Sequence, residues 1–137
     1  AAALREGNIE RDKRMRVFKE RVTRFAGALQ KIDGVNCLVP DGAFYVFPDV
    51  SEYCKSYCIT SHGLATYLLE AADSEVGVSC LGGEAFGEDG HGYIRMSCAE
   101  SSDRLQIAAE FLEIHLKDSE RVKKFVADNP IYCVTRR

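Results

Sequence analysis

The chain has 137 residues, 46% of them hydrophobic and 28% charged, a balance that suits one soluble domain around a single core. Eighteen basic residues against 21 acidic ones leave a net charge of −3, which argues against nucleic acid as the main partner, because phosphate binding needs a basic excess or stripe. No apolar run approaches a membrane span and no signal-peptide core opens the sequence, so no membrane partner is expected.

The chain opens on Ala1-Ala2-Ala3-Leu4 without an initiator methionine, as a piece of a longer protein would. Met15, Phe18, Val22, Phe25, Leu29 and Ile32 recur at spacings of three and four, which predicts a long helix over roughly residues 3–32. Its basic residues interleave with Glu6, Glu10, Asp12 and Glu20 and read as a solvated face. Gly34 suits a C-cap. Val35, Cys37 and Val39 then alternate, Pro40-Asp41-Gly42 supplies turn chemistry, and Ala43 to Phe47 reads as an aromatic strand stopped by Pro48. Together they predict a hairpin in which Tyr45 faces away from Phe44. Ser51 is expected to cap a short helix over residues 52–57, and a second helix follows Ser61 to about Ala72.

Glu75 to Leu81 reads as a strand with Val76, Val78 and Cys80 on one face, and residues 82–92 form a glycine-rich loop. In Gly92-Tyr93-Ile94-Arg95-Met96-Ser97-Cys98 the alternation sends Ile94, Met96 and Cys98 to one face and Tyr93, Arg95 and Ser97 to the other. Ser101 is a good N-cap with Asp103 in the first turn, and Leu105, Ala108, Ala109, Leu112 and Leu116 mark the inward stripe of the helix that follows. A final short helix is expected over residues 118–127, with the last ten residues loose. This order gives an α+β fold: a small, mainly antiparallel sheet packed with helices, a long N-terminal helix, and one domain over residues 1–137.

Arg95 is the residue with the clearest chemical promise. A guanidinium fixed on a strand can donate two parallel hydrogen bonds to a carboxylate. On this strand alone a solvated polar face is the favoured reading. The other constellations point to less. The six cysteines could pair, but Cys37, Cys80 and Cys98 lie in strand-like apolar patterns, which favours reduced thiols and a cytoplasmic location. Cys54, Cys58 and His62 are spaced four apart, yet no fourth ligand is offered and Ser61 and Gly63 interrupt the helix, so no metal site is predicted. The glycine-rich loop lacks a Gly-Lys-Ser/Thr ending and feeds a strand, not a helix. Its glycines would let the backbone pass close to a ligand or another domain. His62, His91 and His115 have no nucleophile in a recognised arrangement, and His115 reads as structural. Phe44, Tyr45 and Phe47 read as core aromatics before ligand contacts.

Three segments taken in order carry a resemblance. Pro40-Asp41-Gly42-Ala43-Phe44-Tyr45-Val46-Phe47-Pro48, Gly83-Glu84-Ala85-Phe86-Gly87 and Gly92-Tyr93-Ile94-Arg95-Met96-Ser97 resemble the P-x-G-A-F-Y-x-F-P hairpin, the G-x-x-F-G loop and the G-x-x-R-[IL]-S strand of class I and II, fold type I, pyridoxal-phosphate aminotransferases. The prokaryotic type of aspartate aminotransferase is the branch most similar. The resemblance implies that residues 1–137 are the small, C-terminal domain of such an enzyme. It assigns Arg95 to the substrate α-carboxylate and Phe44 to the aromatic lining of the active site.

It also implies pyridoxal phosphate as cofactor of the intact enzyme, with an amino acid (aspartate foremost) and a 2-oxo acid such as 2-oxoglutarate as substrates, and a homodimer. The Schiff-base lysine, the partner of the pyridine nitrogen and the phosphate-binding residues belong to the large domain. No catalytic or cofactor-binding residue is therefore assigned here, and the isolated chain is expected to be inactive. The family usually has proline where this chain has Gly82, a change expected to loosen the loop. A stand-alone α+β carboxylate-binding or interaction module, and the small domain of a related pyridoxal-phosphate lyase or synthase, stay open as alternatives.

Overall fold

The computed structural model describes residues 8–70 and 77–134. Helix α1 (Asn8–Leu29) packs on α4 (Ser102–Lys117), and a three-stranded antiparallel sheet lies beside them. The sheet has β3 (Ile94–Ser97) in the middle, flanked by β1 (Tyr45–Val46) and β2 (Leu81–Gly82). Tyr45 pairs with Ser97 and Val46 with Met96 on one edge, Leu81 with Arg95 and Gly82 with Ile94 on the other. Helices α2 (Ser51–Tyr57), α3 (Ser61–Glu70) and α5 (Ser119–Asp128) complete an α+β fold.

The predicted faces match the core. Ile94, Met96 and Cys98 are buried, while Tyr93 and Arg95 are half-exposed and Ser97 is exposed. In α4, Leu105, Ala109, Leu112 and Leu116 are buried, joined by Phe111, with Ala108 half-buried. Helix α1 buries Val22, Phe25, Ala26 and Leu29, all in its second half. Two tyrosines tie this core to the end of α4, where the last carbonyls have no helical partner. Tyr67 Oη donates to the His115 carbonyl at 3.0 Å and Tyr57 Oη to that of Leu116 at 2.9 Å.

Several local expectations shift. The long helix stops at Leu29 and tightens through Ile32 N–H to the Leu29 carbonyl before Gly34 turns at φ +77°. Residues 35–39 form no strand; the hairpin is replaced by a single bridge, Asn36 to Asp49, and an irregular passage around a φ of +115° at Ala43. Residues 77–80 are likewise irregular, and that strand is confined to Leu81–Gly82; Val78 is buried as expected, while Val76 falls outside the described residues.

At α2 the N-cap position is Val50, and Asp49 just ahead of it supplies the side-chain bond: its Oδ1 accepts from Ser51 N–H at 2.8 Å, so Ser51 is already in the helix. Thr60 Oγ1 likewise accepts from Gly63 N–H at 3.0 Å one residue before the expected Ser61. Ser101 caps α4 as expected, and Asp118 caps α5. The C-terminal end is better held than composition suggests. A 3-10 turn at Pro130–Tyr132 leads into a bridge between Cys133 and Ile59, and Val134 N–H donates to the Cys58 carbonyl at 2.8 Å. Gly63 admits this segment, since a Cβ there would lie 2.4 Å from Tyr132 Cβ. Among the described residues no helix is long and apolar enough to cross a membrane.

Candidate substrate-carboxylate site

The middle position of β3 decides the setting of Arg95. Neighbours on both edges of the strand send an aromatic ring over its guanidinium. The Arg95 Cζ lies 5.2 Å from the Tyr45 ring centroid and 4.3 Å from that of Phe86. Tyr45 reaches it because the β1 register puts it opposite Ser97, one diagonal step from Arg95. Phe86 ends a 3-10 turn, Gly83–Phe86, that follows β2 directly. Both contacts are within the range of cation–π attraction. Among the described residues the guanidinium has no ion pair and no hydrogen-bond acceptor. Two rings pack against the guanidinium, and its N–H donors are uncommitted among the described residues.

Phe86 is itself braced. Its ring meets Phe47 edge-on at 5.9 Å, and Phe47 stacks on Tyr93 at 5.2 Å and 16°. The loop behind it closes at its base. A Cβ on Gly83 would come 2.0 Å from the Gly90 carbonyl oxygen, so only glycine fits the crossing. Gly82, expected to loosen the loop, does the reverse. Its backbone packs against His62 so closely that a Cβ would lie 2.5 Å from His62 Cα. Glu84 anchors the same loop to α3: its Oε1 accepts from Ser61 N–H at 2.7 Å, and Ser61 Oγ accepts from Gly92 N–H at 2.6 Å.

Phe44 lies beside this cluster, not on the strand. It is 56% exposed in a bend just before β1, and its ring meets Tyr45 edge-on at 5.7 Å, so the expectation that the two face apart fails at the Ala43 turn. Tyr45, read as core or contact, is the ring that touches Arg95. Phe86 was visible only as part of its loop motif. The other candidates are elsewhere. Cys54 is buried on α2, Cys58 ends that helix in a left-handed conformation (φ +52°), and His62 begins the next helix. Cys54, Cys58, Glu84 and His91 line a cavity of about 430 Å³ that Arg95 does not border. Its carboxylate, Glu84, meets the start of α3 and His91 Nδ1 (3.5 Å) through Oε1, while Oε2 is buried without a hydrogen-bond partner among the described residues. We therefore place the candidate site at Arg95.

A profile of aminotransferase class I and II matches residues 1–112. The chain belongs to this family. It is 39% identical over 107 residues to the probable aspartate aminotransferase of Methanocaldococcus jannaschii, covering 78% of this chain and 25% of that protein. It is 36% identical over 106 residues to the LL-diaminopimelate aminotransferase of Maridesulfovibrio salexigens, covering 77% and 25%. Among solved structures it matches an aromatic aminotransferase from Pyrococcus horikoshii with a TM-score of 0.69 and 29% identity, over 85% of this chain and 29% of that one. A Staphylococcus hominis C-S lyase shares the fold, with a TM-score of 0.73 at 21% identity. The chain spans about a quarter of the length of the curated relatives it matches.

The family depends on pyridoxal phosphate, and the residues around Arg95 do not make a site for it. That cofactor needs a lysine near its reactive carbon and a cradle of donors for its phosphate. All seven lysines of this chain are exposed. Lys117, Lys123 and Lys124 are paired with nearby carboxylates. No lysine touches the Arg95 cluster among the described residues.

Proposed function

We propose that this chain is the small domain of a pyridoxal-phosphate aminotransferase, and that Arg95 binds the α-carboxylate of the amino-acid and 2-oxo-acid substrates. One observation carries the reading: a guanidinium packed against the rings of Tyr45 and Phe86, with its N–H donors unpaired among the described residues. A planar carboxylate is the acceptor that matches these donors. The family relatives support it in a second way. Those named for aspartate and for LL-diaminopimelate act on different side chains, but every amino acid carries the same α-carboxylate. Phe44 is proposed to line the approach to that carboxylate, and aspartate is the proposed donor.

The isolated chain is proposed to be inactive, because no lysine among the described residues stands at the Arg95 cluster to take the cofactor. In the complete enzyme Arg95 orients the substrate by its carboxylate, which fixes the reacting carbon where the rest of the enzyme acts. Two hydrogen bonds to a charged group contribute roughly 1.5–3 kcal/mol each. Arg95→Ala in the complete enzyme is therefore expected to lower kcat/KM for aspartate by on the order of a hundredfold or more. Unchanged kinetics would remove Arg95 from the site. Ammonia release from the donor without amino transfer to 2-oxoglutarate would move the reaction to the lyase class.

A further inference from the structure

We infer that Phe86 is a positioning residue for substrate binding, acting through Arg95 without touching the carboxylate itself. This deepens the proposed function and rests on it.

A guanidinium has two chemically different aspects. Its face is weakly hydrated and stacks on aromatic rings; its edge carries the donors. A carboxylate needs the edge in one plane and one direction. A free arginine side chain has many rotamers, and ordering it on binding costs affinity. The 4.3 Å contact with Phe86 is the closer of the two rings and comes from the loop side, while Tyr45 approaches from β1 at 5.2 Å. Together they constrain the group from both edges of its strand before any ligand arrives.

Phe86 suits this role because its own position does not depend on Arg95. Phe47 braces its ring, Gly83 and Gly90 close its loop, and Glu84 ties the loop to α3. It is also 46% exposed, so its removal leaves no buried cavity. A leucine would fill much of the space but would offer no π face. A tyrosine would keep the face.

The test compares Phe86→Leu, Phe86→Tyr and Arg95→Lys in the complete enzyme, with KM measured for both the amino acid and the 2-oxo acid. Both substrates carry the carboxylate, so Phe86→Leu should raise both KM values about tenfold, the scale of one cation–π contact. Phe86→Tyr should restore them. A merely structural role would reduce the amount of active enzyme and leave KM alone. If Arg95→Lys raises both KM values and Phe86→Leu raises neither, the positioning role falls and the carboxylate site stands. If Arg95→Lys also leaves them unchanged, the carboxylate reading falls and takes this inference with it. A second readout needs no turnover. In the 137-residue chain the ring current of Phe86 should displace the Arg95 side-chain N–H resonance, and Phe86→Leu should return it toward the free-arginine position. An unmoved resonance would overturn the contact itself.

Discussion

Ala43 holds a backbone φ of +115° one residue before Phe44. A non-glycine residue there costs about 1–3 kcal/mol. The side chain is exposed, so little packing compensates. Ala43→Gly is expected to raise stability by about 1 kcal/mol after the extra entropy of glycine is counted, read as a higher urea midpoint at constant slope. An unchanged or lower midpoint would show that the Ala43 methyl has a contact the strain argument omits. Residue by residue, legibility in the sequence followed the range of the interaction. The two faces of β3 were readable, because alternation is a local rule. Tyr45 as the ring over Arg95 was not, because it depends on which residue stands opposite which across two strands. Phe44 was misjudged in direction for a related reason: Ala43 carried no glycine to signal a positive φ.

At the scale of elements, the capping side chain was read two residues late at α2 and one residue late at α3. Asp49 and Ser51, like Thr60 and Ser61, are all competent cap residues, and composition alone does not choose between close alternatives. Removing the observed cap by Asp49→Ala is expected to cost about 1 kcal/mol, whereas Ser51→Ala should cost a few tenths at most. Thermal melts of the pair check the assignment; equal losses would refute it. The loop over residues 82–92 gives a sharper case. Its five glycines read as room for a close backbone approach, and three of them sit where a side chain would strike backbone of the chain itself. Gly83→Ala is expected to cost about 1–3 kcal/mol, as overpacking does elsewhere. It should also displace Phe86, so the Arg95 side-chain resonance moves with it. A variant of native stability with an unmoved resonance would show that the crossing is not tight. The hairpin failed as an element because Val35, Cys37 and Val39 have strand composition but only Asn36 forms a bridge to the facing segment.

For the whole molecule, burial of thiols sets a stability limit at high pH. Desolvation raises Cys37, Cys54 and Cys98 from the ordinary 9.0 to about 11, and Cys80 to about 12. Burial also pushes Tyr67 from 10.0 to about 12. Below pH 9 each thiol is protonated whether the chain is folded or not, and its contribution is fully present. Above 9 the unfolded chain loses protons that the folded chain keeps, so stability falls as pH rises through the folded values. The urea midpoint should be flat across neutral pH and decline from about pH 9 to 12. A flat profile through pH 11 would mean that the thiols are not shielded as the core places them. The fold class itself was legible because burial stripes, glycines and cap residues all pointed to the same α+β layers. The positions of the rings at the site arise from assembly of those layers.

One proportion of α1 has a mechanical side. Its buried residues begin at Val22, and between Asn8 and Arg21 only Phe18 and Arg21 are as much as half-covered. Over the described residues the helix is thus clamped in the core through its second half, with Asn8 at the far end of the described part. From Phe18 to Asn8 is ten residues, or about 15 Å at the helical rise. A 10° rotation of the core about that clamp would swing the far end by about 2–3 Å over the same lever arm. Small reorientations around Arg95 would thus be magnified at Asn8, where a distance probe would register them.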